Sequence, residues 1–147
     1  MKKLLVSIFM LLWVTSAYSQ LSPETIAKRE RHKNLVVKEH NADARGKNAW
    51  LDHITTYDDQ GRKVEEIEYA TYGQVERVVS YYENETVGKV TKEVVYDSRD
   101  KAVRVRVYEY NTDGTRKIQY NYLPNGKLYS IKRYEYQFVT PESKGGK

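Results

Sequence analysis

The chain has 147 residues, 31% of them charged, a formal net charge of +5, 14 Tyr and no Cys. That length suits one domain, and the missing Cys excludes disulfides, thiol catalysis, a Cys-based zinc site and a lipid-modified N-terminal Cys. The mild basic excess does not by itself mark a nucleic-acid-binding chain.

Residues 1–19 read as an export signal. Lys2 and Lys3 form a basic start, Leu4 to Val14 is an apolar run, and Ala17-Tyr18-Ser19 is a small-residue cleavage site. The run is short for a membrane span, and no second apolar stretch is long enough. Cleavage before Gln20 would leave 128 residues, a net charge of +3 and 13 Tyr. The expected location is periplasmic or extracellular.

Residues 20–48 are expected to form an arm with a short helix and a first strand. Ser22 can cap the helix, Pro23 suits its first position, and Glu24 favours the positive end of its dipole. The basic run from Lys28 to Lys33 reads as a solvated surface. Residues 34–40 could pair as a strand, and 41–46 read as a loop.

From residue 49 to 139 the chain is rhythmic. Tyr is followed four residues later by Gly at Tyr57/Gly61, Tyr69/Gly73, Tyr110/Gly114 and Tyr122/Gly126. Tyr96 keeps the spacing with Asp100, and Tyr82 reaches Gly88 with two extra residues. Counting eight onward from each turn position lands on Tyr again. The unit is about eight strand residues and a four-residue turn, a repeat to be settled before any chemistry is assigned. Val, Ile, Tyr and Thr suit strands, and a Gly at the end of a hairpin loop supplies positive φ. Gly61, Gly73, Gly88, Gly114 and Gly126 are therefore expected as structural turn residues. Short connections require antiparallel neighbours.

The expected fold is all-β: an antiparallel meander of about seven to eight strands in one strongly twisted or curled sheet, with a short N-terminal helix. Residues 140–147 are expected to be a disordered tail. Four-residue loops would pair Val107 with Ile118, Ile118 with Ile131, and Val90 with Val107, giving one apolar stripe. The opposite face would carry Arg104, Arg106, Lys117, Gln119, Asn121, Ser130 and Lys132. Only 26 Leu, Ile, Val, Phe and Trp occur after residue 19, few for two packed layers. The expected remedy is curl with partial cover by residues 20–50; self-association through the apolar face is the alternative.

Tyr57-Asp58-Asp59-Gln60-Gly61-Arg62 and Tyr96-Asp97 resemble the YD repeat of Rhs and teneurin-like proteins. Tyr122-Leu123-Pro124-Asn125-Gly126-Lys127-Leu128 resembles a turn of MORN-variant, antitoxin-like repeats. The likeness covers roughly residues 50–138 and implies repeated strands in a small exported protein of a Gram-negative bacterium. Large YD proteins build shells around cargo. These 147 residues are expected to be too few to enclose cargo or to hold a toxin domain.

No catalytic, metal or cofactor motif emerges. His32, His40 and His53 match no metal spacing, and Glu65 and Glu66 point to opposite faces of a strand. Asn84-Glu85-Thr86 fits a glycosylation sequon in a turn. The candidate binding surface is Arg104, Arg106, Tyr108, Lys117 and Lys132, suited to an anionic polymer or membrane headgroups. Recurrent Tyr reads first as packing and second as a sugar-stacking surface. The expected function is an exported, non-enzymatic binding or structural module of the periplasm or envelope. Alternatives are an immunity-like protein that covers a protein partner and a glycan binder. Nucleic acid is not an expected partner.

Overall fold

The computed structural model describes residues 21–82 and 88–139. The proposed signal segment, the sequon at Asn84 and the tail from residue 140 lie outside the described residues.

Helix α1 spans Pro23–His32. Ser22 caps it, accepting from the Thr25 amide at 3.2 Å, as the Ser-Pro-Glu start predicts. Eight strands follow: β1 Val36–Asn41, β2 Trp50–Tyr57, β3 Lys63–Ala70, β4 Gly73–Tyr81, β5 Lys92–Tyr96, β6 Ala102–Tyr110, β7 Arg116–Tyr122 and β8 Leu128–Arg133. They form one sheet in sequence order, antiparallel throughout and not closed into a barrel. This is the meander that the Tyr–Gly rhythm predicts.

The turns are one residue longer than the spacing suggests. In four of the rhythmic hairpins the first turn residue both donates to and accepts from the chain around it. Asp58 N donates to the Arg62 carbonyl and its own carbonyl accepts from Gly61 N; Asp97, Asn111 and Leu123 repeat the pattern. Each loop is thus a five-residue unit closed around a left-handed residue. Asp100 takes φ 60° where the others have Gly. The segment 43–47 is the same turn: Asp43 N donates to the Lys47 carbonyl. The Tyr spacing overlooked it because Ala42 stands in the Tyr position. The turn at Gly73 differs, since Ala70 pairs directly with Gly73 across two residues.

A second regularity lies beside the turns. The ladder breaks at Thr56/Tyr57, Glu68/Tyr69, Val95/Tyr96, Glu109/Tyr110 and Asn121/Tyr122. The repeating Tyr therefore marks a β-bulge, one extra residue on the opposing strand. The longer turn and the bulge together move the expected register by two. Glu109, not Val107, faces Ile118; Arg133, not Ile131, faces Ile118; and Lys92, not Val90, faces Val107. A shift of two keeps the side chains between the bulges on their faces. The apolar rows become Val79–Val94–Val105–Tyr122–Leu128 and Tyr81–Lys92–Val107–Tyr120–Ile131.

The expected cover is not there. Residues 36–41 run in the sheet as its first edge, and α1 docks on the turns rather than across the strands. Arg29 donates to the Gly88 carbonyl at 3.0 Å, and the His32 ring lies 4.7 Å from the Tyr57 ring. Gly61 lies so close to α1 that an added Cβ would overlap the Arg29 carbonyl. The buried side chains are few: Val95, Tyr108, Ile118, Thr55 and Ser80. All but Ile118 belong to the polar face, where long charged and aromatic side chains cover the floor.

Candidate functional site

A depression of about 580 Å³ opens on the polar face over β5 to β8. Arg104, Arg106 and Tyr108 alternate along β6 and share this face with Gln119, Asn121, Ser130 and Lys132, their ladder neighbours on β7 and β8. The depression thus gathers four of the five residues picked out in the sequence. Lys117 is the exception. It is the extra residue of the bulge, because Glu109 pairs with Ile118 and Tyr110 with Arg116. Lys117 stays exposed outside the depression. Arg116 takes its place, with its guanidinium 4.2 Å above the Tyr108 ring. Simple alternation could not find Arg116, because a bulge reverses the parity of the residue beyond it.

Glu93 on β5 anchors the floor. Its Oε2 accepts from Tyr108 Oη at 2.6 Å and from Arg106 Nη1 at 3.2 Å. Burial first, and the Glu93 carboxylate second, push the Tyr108 phenol far above its ordinary range. Tyr108 is therefore a fixed donor, not an acid. Arg116 remains charged: burial opposes the charge, but hydrogen bonding to Tyr134 and Tyr110 supports it.

A chain of polar side chains crosses the floor. Tyr134 Oη donates to Gln119 Oε1 at 2.9 Å, Gln119 Nε2 to Asn121 Oδ1 at 2.8 Å, and Asn121 Nδ2 to Ser130 Oγ at 3.0 Å. Lys132 Nζ lies 5.5 Å from the Tyr134 ring. Tyr129, 67% exposed, stands at the wall. Among the described residues no carboxylate pairs with Arg104, Arg116 or Lys132. Four cations and one carboxylate leave a strongly positive site.

Other tyrosines are structural. Tyr82, Tyr110 and Tyr136 donate to the carbonyls of Lys63, Val90 and Arg116 at 2.6–2.8 Å. A second depression of about 360 Å³ under α1 also holds cations. Two of these have partners: Arg29 is bound to the Gly88 carbonyl and Arg62 to Asp58 at 2.7 Å. Among the described residues no group of His, Asp and Glu could hold a metal ion, and no helix is long and apolar enough to cross a membrane.

No protein-family model matches the chain, and no curated protein matches it. Among solved structures it is similar to a mutant of S. aureus TarM in complex with Fondaparinux, alpha-GlcNAc-glycerol and UDP. The identity is 16% and the TM-score 0.30, over 76% of this chain and 20% of that one. A likeness of that size bears on neither fold nor function.

Proposed function

We propose that this chain is an exported, non-enzymatic binding module of the cell envelope, and that the polar face over β5 to β8 holds an anionic ligand. One observation carries the reading. Arg104, Arg116 and Lys132 surround a depression whose single carboxylate already serves Arg106 and Tyr108. Surplus positive charge in a partly enclosed site attracts anions more strongly than the same charge on an open surface. The export signal and the YD-like repeat support placement in the envelope.

The test is retention of the purified protein on anionic and neutral envelope polymers at increasing salt. Retention on the anionic polymer is expected to fall with salt and to be lost in Arg104→Gln/Lys132→Gln. Equal retention on both polymers would remove the proposal. Turnover of an envelope substrate that disappears in Glu93→Gln would remove its non-enzymatic part.

The opposite face favours a second reading, an immunity-like protein that covers a protein partner. Leu128 and Ile131 are each 44% exposed there, in two rows of mostly apolar and aromatic residues. Absence of any stoichiometric partner after capture from envelope extract would count against it.

A further inference from the structure

Resting on the anionic-ligand reading, we infer that the ligand is an acidic oligosaccharide, hydroxylated rings bearing carboxylates about 10 Å apart, laid across β6 to β8. Three features of the depression select it: the layout of charge, the polarity of the floor and the ring at the wall.

The charges lie at the rim. Arg106 is neutralised by Glu93 at 3.2 Å, so the cations left for a ligand are Arg104, Arg116 and Lys132. Arg104 lies four residues along β6 from Tyr108, which Arg116 covers, a separation of about 13 Å. Lys132 lies two strands from β6, about 10 Å away. Between them is a floor with no net charge. A polyanion such as single-stranded DNA carries its charges far more densely, about 3.4 Å apart along the axis in a stacked strand. It would set phosphates on Glu93 and on the amides.

The floor both donates and accepts. In the chain Tyr134–Gln119–Asn121–Ser130 each amide oxygen accepts a hydrogen bond from its neighbour. The second N–H of each amide and the Ser130 hydroxyl are left as donors. Glu93 receives both of its contacts on Oε2, which leaves Oε1 as an acceptor. A sugar hydroxyl donates and accepts at once and satisfies both sets. An ionised phosphate or sulfate only accepts, and it would leave Glu93 Oε1 without a donor. Tyr129 supplies an exposed ring, on which the C–H face of a sugar can stack.

The experiment is calorimetric titration of the purified protein with four probes: hyaluronan oligosaccharides, with a carboxylate on alternate sugars, neutral chitooligosaccharides of equal length, polyphosphate and single-stranded DNA. Hyaluronan is expected to bind, and the neutral probe to bind about ten-fold more weakly or not at all. Tyr129→Ala is expected to lower hyaluronan affinity about ten-fold with unchanged thermal stability, since the side chain is 67% exposed. Glu93→Gln is expected to narrow the preference for hyaluronan over polyphosphate. If polyphosphate or DNA binds as tightly as hyaluronan and Tyr129→Ala changes nothing, the inference fails while the anionic-ligand reading survives. If no anionic probe binds, both fail.

Discussion

Asp43, Asp58 and Asp97 each open a five-residue turn, and each Oδ1 accepts two backbone N–H groups, two and four residues on. Where the first residue is Asn111 or Leu123, the third takes over: Asp113 accepts from Thr115 N and Asn125 from Lys127 N. The Lys101 and Arg99 amides hold the Asp97 carboxyl below its ordinary value, the Lys47 amide chiefly does so for Asp43, and Thr115 for Asp113. Burial opposes the shift at Asp58, but Arg62 outweighs it. A carboxyl lowered in this way adds stability above its unfolded pKa of about 3.9, and that stability is lost as pH falls through the folded value. The urea midpoint is therefore expected to fall steadily below about pH 4. Asp97→Asn, which keeps an acceptor but does not titrate, should reduce the slope. Glycines divide by surroundings. Gly126 at φ 84° has open space around it, so Gly126→Ala should cost about 1 kcal/mol for backbone strain alone. Gly61→Ala should cost clearly more, because the new methyl would also push α1 off the turn. Urea denaturation of both variants checks the order.

Among elements, β5 has the fewest residues of the interior strands and joins β1–β4 to β6–β8. Val95, its fourth residue, is 2% exposed. Val95→Ala is expected to lower stability by about 2 kcal/mol, and Val103→Ala, 40% exposed, by well under half of that. The strands themselves were legible in the sequence, since Tyr, Val and Ile runs punctuated by Gly leave few other solutions. So were the two faces between the bulges, because a register shift of two does not turn a side chain over. What the sequence hid was the bulge beside each Tyr. Nothing in the residues Glu109-Tyr110 or Arg116-Lys117 states that one of them goes unpaired. Together with the fifth turn residue, the bulge misplaced the apolar stripe, and the bulge alone exchanged Lys117 for Arg116. Glu93 was hidden for a related reason. Its role depends on pairing between β5 and β6 across the turn at Asp97, and no local pattern distinguishes it from Glu65 or Glu76. The bulges also explain why Tyr recurs. At Arg77, for instance, the guanidinium stacks 4.0 Å over Tyr96 and bonds both Asp100 and Glu65, binding three strands and a turn beside one such break.

At the scale of the whole molecule, the sheet is a single layer whose order in space is its order in sequence. Protection is expected to follow distance from the edges. Amide exchange measured by mass spectrometry should be slowest around Val95, Tyr108 and Ile118, and fastest in β1 and β8, whose side chains are mostly exposed. Uniform protection across all eight strands would mean that something covers the sheet in solution.

The sequential order has a further consequence. Every strand pairs only with the strands just before and after it, so no contact in the sheet waits for a distant part of the chain. Such a topology has low contact order, which favours rapid folding. A chain emerging tail-last from a narrow exit, ribosome or translocon, can zip each hairpin as soon as its turn is free. The polar depression over β5 to β8 is then the last part assembled. The depression is complete only with the final strand, and a chain interrupted before Leu128 would already hold most of its sheet but lack the wall formed by Tyr129 and Lys132.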